Sequence, residues 1–165
     1  MSTVILYPDI PCCYPVVIGD NSTASVGNTS KLLAVFRNES DVSNLRAILA
    51  RFQFHANNPS ADTTVVIQMV GGVTSSGGTW NSITGSELEI NTTATTTGGK
   101  VAYTEFTNVT TAHGNTPASG SISSIEAESL GLALHTGEQF AIYAKTLTTG
   151  ATVTLHWTFN WTEKD

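Results

Sequence analysis

The sequence predicts an all-β protein: a jelly roll or β-sandwich of about eight antiparallel strands, preceded by an extended N-terminal arm. Three observations carry this. Apolar and polar residues alternate without exception through positions 152–162, with Val153, Leu155, Trp157, Phe159 and Trp161 on one side and Thr, His and Asn on the other. Strand side chains repeat every two residues, so this is one half-buried strand of roughly 35 Å with an aromatic face and a wet face. Thr and Ser together fill about a quarter of the 165 positions, and β-branched Thr favours strands. Turn-rich segments recur at about eight- to twelve-residue intervals, the spacing of sandwiches and jelly rolls.

Taken in order, residues 1–20 hold two short apolar runs broken by Pro8, Pro11 and Pro15. Proline donates no backbone hydrogen bond and fixes φ, which rules out a helix or a central strand here. The segment reads as an extended arm on a surface, its own or a neighbour's, and residues 19–30 (GDNSTASVGNTS) read as a turn-rich linker. Residues 1–30 are thus assigned to arm and linker, and residues 31–165 to the sandwich domain.

Residues 31–37 form a continuously apolar strand, and residues 38–44 a turn. Residues 45–55 fit two patterns. Val42, Leu45, Ile48 and Leu49 have helical spacing, whereas Ile48, Ala50, Phe52 and Phe54 alternate cleanly with Leu49, Arg51, Gln53 and His55; the alternation favours a strand. A strand follows at 63–70 and a flexible loop at 71–79 (GGVTSSGGT). Residues 91–100 (NTTATTTGGK) read as a Thr-rich ribbon closing in a Gly-Gly turn, residues 101–109 as a strand, and residues 110–120 as the longest polar loop. Residues 122–134 read as a strand or as a helical turn followed by a strand. Residues 139–146 form a further strand, and residues 147–150 a tight hairpin into the terminal strand.

Charge narrows the function. Charged residues make up 12% of the chain, about half the roughly 25% of an ordinary domain. The net charge is −6, and no run of basic residues occurs. Nucleic-acid binding requires several cations to displace counterions, so no nucleic-acid partner is expected, and no attachment to an anionic membrane. The only cysteines, Cys12 and Cys13, are adjacent. Neighbouring cysteines pair only with strain, so they read as shielded thiols in a reducing compartment. The N-terminus lacks a basic region followed by a long apolar run and reads as no signal peptide. No apolar stretch is long enough to span a bilayer as a helix.

No catalytic signature is present, and no enzyme is expected. There is no G-x-S-x-G, no H-E-x-x-H and no phosphate loop. The histidines at 55, 113, 135 and 156 are scattered, none with a second ligand at metal spacing, so neither metal nor cofactor is expected. Glu87 with Glu89 and Glu126 with Glu128 read as solvated faces. Among the aromatics, Trp80 follows a Gly-rich loop and is the one candidate ligand contact. A sugar-stacking platform would need it coplanar with another aromatic such as Tyr103.

Three stretches resemble small jelly-roll structural proteins of tailed phages. These are residues 33–48 (LAVFRNESDVSNLRAI), residues 78–102 with their Trp strand, Thr-rich ribbon and Gly-Gly turn, and residues 130–163 with an alternating final strand ending in Trp-Thr-Glu. Residues 1–30 and 110–120 lie outside the resemblance. It implies a virion component, most often a trimer, made in the bacterial host cytoplasm. The expectation is a capsid decoration (cement) protein on the outer surface of the shell, with the major capsid protein and itself, as a homotrimer, for partners. Tyr7, Pro8, Ile10, Tyr14 and Val16 of the arm are the expected capsid contacts. Trp157, Phe159 and Trp161 are the expected subunit interface. A tail-fibre or receptor-binding head and a carbohydrate-binding module are the alternatives.

Overall fold

The computed structural model describes residues 15–39, 45–112, 121–126 and 133–164. Their regular structure is entirely β: β1 Pro15–Val26, β2 Lys31–Asn38, β3 Leu45–Asn57, β4 Thr63–Ser76, β5 Asn81–Ser82, β6 Leu88–Asn91, β7 Thr95–Val109, β8 Ser121–Glu126, β9 Ala133–Leu134, β10 Gln139–Thr146 and β11 Val153–Lys164. They form two antiparallel sheets packed as a sandwich. One has the order β1-β11-β3-β8, with β9 also paired to β3, and the other β5-β6-β2-β10-β4-β7. Setting aside the short β5, β6 and β9, eight principal strands remain, and the chain winds between the sheets as an eight-stranded jelly roll does.

The terminal strand sits where its sequence predicts. β11 lies between β1 and β3, with Trp157 opposite Phe54 and Phe159 opposite Phe52. Val153, Leu155, Trp157 and Phe159 are all at most 4% exposed. Burying a side chain of this size stabilises by about 1.5–3 kcal/mol relative to leaving it in water. They face Phe36 and Phe140 of the opposite sheet, whose rings stack at 4.7 Å. The alternation in 45–55 is likewise a strand, β3.

Four sequence expectations are corrected. The linker expected at 19–30 is largely strand: β1 runs to Val26 and pairs with β11 across a register shift between Ile18 and Ser22. Pro15 opens this strand at the edge of the sheet, where a missing N–H costs least. The flexible loop at 71–79 is instead the continuation of β4 as far as Ser76, paired with Thr95–Lys100 of β7. Gly98 and Gly99 therefore lie within β7, and no turn closes there. Both have positive φ, and Gly99 passes so close to β4 that a Cβ would stand 2.7 Å from the Cγ1 atoms of Val70 and Val73. Finally, residues 147–150 join strands of different sheets, since β10 pairs with β2 and β4 while β11 pairs with β1 and β3. The reversal is fastened by Thr146 Oγ1 donating to the Ala151 carbonyl at 2.9 Å.

Candidate functional site

The outer face of the six-stranded sheet carries a second, smaller core. Alternation along β2, β4 and β10 sends Phe36, Met69 and Phe140 inward, leaving Val35, Val70 and Ala141 on the far side. These three align across the strands in one row. They are nevertheless buried, at 0%, 8% and 0% exposure. The cover is the segment between β4 and β7, which leaves β4, adds β6 beyond β2 and returns, laying Trp80 and Ala94 against the cluster.

Trp80 is fixed in this cover. The Arg37 guanidinium lies 4.2 Å from its ring centroid. Arg37 is itself held by Glu89 Oε2, which accepts from Nε at 2.9 Å and Nη2 at 2.7 Å, and by an ion pair with Glu39 at 2.8 Å. A cation over an indole face adds about 0.5–1 kcal/mol at an accessible site. Asn91, fully buried, ties the two passes of the segment together: its Nδ2 donates to the Gly77 carbonyl and its Oδ1 accepts from the Thr93 N–H. Trp80 is thus the lid of a local core. Tyr103 packs on the other side of the sheet, against the main core, so the two rings do not form a sugar-stacking platform. Of the paired carboxylates, Glu89 is engaged by Arg37 and Glu128 lies outside the described residues.

The remaining predicted contacts divide three ways. Tyr7, Pro8, Ile10 and Tyr14 lie outside the described residues, as do Cys12 and Cys13. Val16 belongs to β1, in register with Trp161, which is in turn opposite Ala50 of β3. Trp157 and Phe159, expected at a subunit interface, are 4% and 1% exposed within a single chain. The chain's own core takes up their surface, so nothing remains for a second subunit to cover. That expectation is corrected for both.

Exposed apolar groups lie elsewhere. Val101 and Phe106 of β7 are 54% and 60% exposed, and Leu147 is 55% exposed. Val101 extends the outer row of Val35, Ala141 and Val70, and Phe106 stands opposite Val66. β7 is also the edge of its sheet. Beside Leu147 lies an open depression of about 390 Å³ lined by Asp62, Thr64, Asn108 and Thr148, among others. Asp62 Oδ1 accepts from the Thr111 N–H and Oγ1 at 2.7 and 2.8 Å. On the same strand as Phe106, Tyr103 donates to Glu105 Oε2 at 3.0 Å; this bond, with burial and the adjacent carboxylate charge, raises the phenol pKa above its ordinary value.

Among the described residues, no group of three or more His, Cys, Asp or Glu side chains is arranged to hold a metal. The fold does unite two of the histidines that look scattered in sequence, His55 and His156, as direct partners on β3 and β11. Only the strand register reveals this, because no short-range spacing connects them. No protein-family model matches the chain, and no curated protein matches its sequence significantly.

Proposed function

We propose that this protein is a virion structural component, a capsid decoration protein of a tailed phage that binds the outside of the major capsid shell as a homotrimer. The observation that carries the reading is the edge strand β7. A jelly roll with few charges presents Val101 and Phe106 on an outer face, more than half exposed, as a surface that a larger assembly would cover. Two features support it. The jelly roll is a fold that capsid proteins use, an argument by analogy of fold. The proline-broken stretch ahead of β1 supplies chain that could reach a neighbouring subunit, with Tyr7, Pro8, Ile10 and Tyr14 as its contacts. Three copies match the local threefold points of an icosahedral shell.

The test is co-sedimentation with intact particles. A variant lacking residues 1–14 retains every residue of β1 and of the sandwich, and the proposal expects it to fold and lose attachment. Phe106→Glu is expected to weaken attachment while leaving the melting temperature nearly unchanged. Light scattering should give about three times the 17.4 kDa chain mass. A folded truncation that decorates particles normally, or a strict monomer at working concentration, would sink the corresponding part of the proposal.

A further inference from the structure

His55 and His156 face one another across the middle of the five-stranded sheet. Their ring centroids are 6.2 Å apart and the planes 26° from parallel. Their chain neighbours Phe54, Ala56, Leu155 and Trp157 are buried in the core, so by alternation both imidazoles stand on the outer, solvent-facing side, each half-buried. β3 and β11 are inner strands, each paired on both edges, which holds the two backbones in fixed register. Directly opposed residues in antiparallel strands have Cβ atoms about 4.5–5.5 Å apart.

We propose that this pair is a two-imidazole binding site for a divalent transition-metal ion of the Cu²⁺ or Zn²⁺ class. Metal–imidazole bonds of about 2.0–2.1 Å bring two coordinating rings to a centroid separation of roughly 5–6.5 Å, and the observed separation falls within that range. The histidine χ2 torsion is a broad, soft rotor, and coordination would turn one nitrogen of each ring toward the shared ion, exchanging any existing contact of that ring for the metal bond while the strands keep their register. Neutral imidazole suits copper, nickel and zinc, while magnesium and calcium prefer oxygen donors. The same row carries Thr23 beside His156 and Ile122 beside His55, so no cationic residue stands next to the pair in that row. Two residues along the same face of β3, the Asn57 Oδ1 is buried and accepts no hydrogen bond; it is an oxygen donor available at the margin of the site. Water completes the coordination of an ion held at a surface.

The experiment titrates the full chain with CuSO₄ and with ZnCl₂ by calorimetry, alongside thermal melting with and without metal. One ion per chain is expected, with a melting temperature that rises as metal is added, because an ion bound only by the folded state stabilises it by mass action. His55→Thr and His156→Thr suit a Thr-rich strand face. Each should weaken binding at least about tenfold, since losing even a supporting residue of a metal site costs that much, and each should abolish the melting shift while the metal-free variants still melt cooperatively. His135→Ala and Cys12→Ser/Cys13→Ser should leave the affinity unchanged. Undiminished affinity in either threonine variant overturns the site. So does loss of binding in the cysteine variant, or half an ion per chain with metal-dependent dimers, which would place the ion between molecules.

Discussion

Phe159→Ala tests whether the aromatic stripe of β11 serves the chain's own core. Phe159 is 1% exposed, and its ring lies 5.2 Å from Phe36, 5.7 Å from Phe140 and 6.5 Å from Phe52. It therefore bridges both sheets. Truncating a buried Phe to Ala costs about 3–5 kcal/mol from lost transfer energy and the cavity left behind. For a domain of this size each kcal/mol lowers Tm by about 2–4 °C, so the drop should be roughly 6–20 °C. Urea unfolding should show a lower midpoint with an unchanged slope. A double-mutant cycle with Phe36→Leu should return a coupling of about 0.5–1.5 kcal/mol, the increment of an aromatic pair beyond its buried area. If the loss is below about 1 kcal/mol, or if the variant instead changes oligomeric state at constant stability, the ring belongs to an interface and the core assignment is wrong.

Arg37→Met should uncover Trp80: its fluorescence emission should shift to longer wavelength with a loss of only about 1 kcal/mol, because a cation–π contact and a half-exposed ion pair are each small. Unchanged emission would contradict the contact. Gly78→Ala should destabilise more than Gly85→Ala. Both have positive φ, costing about 1–2 kcal/mol for a residue with a Cβ, but only at Gly78 would that Cβ stand 2.4 Å from Asn91 Oδ1, whereas open space surrounds Gly85. Equal losses would mean the two passes of the segment over the outer face are not locked together. Tyr103 should titrate above the ordinary tyrosine value of about 10, read by ultraviolet difference absorbance, and Glu105→Gln should bring it back down. Because the folded state holds this proton more tightly, the associated stabilisation is complete below the unfolded-state value and disappears as pH rises through the folded one. A phenol that titrates identically in both proteins would refute the assignment.

Sequence and structure agree where a strand is buried on one face only. The alternation holds from Val153 to Phe159 of β11 and from Phe52 to Ala56 of β3, where each strand points one row into the sandwich core. They part where tertiary pairing overrides local composition. Gly19, Asp20 and Asn21 look like a turn; they fall where the register of β1 against β11 shifts between Ile18 and Ser22, and pairing resumes at Ser22 and runs to Val26. Gly98-Gly99 looks like a hairpin tip; what it provides is close approach to Val70 and Val73 with positive φ in mid-strand. The reversal at 147–150 is legible as a reversal, but turn chemistry does not specify which sheet receives the next strand. For the same reason Trp80 reads as a ligand contact: the group over its ring is Arg37, which the chain positions far upstream. The histidine pair depends on register between β3 and β11, information that only the assembled sheet contains.

The central place of β11 has a consequence for how the protein is made. β1 and β3 are synthesised early but do not touch in the sheet order; the strand between them is the last of all those described. Until it arrives, the five-stranded sheet is two unconnected parts, and Phe36 and Phe140 lack the Phe159 ring that packs against both. Contacts so distant along the chain make for slow folding, and they defer it until translation has passed residue 164. A ribosome stalled before Val153 would leave Phe36, Phe52 and Phe140 without the rings of β11 that pack against them, so the arrival of β11 is the step that joins the two parts of the sheet.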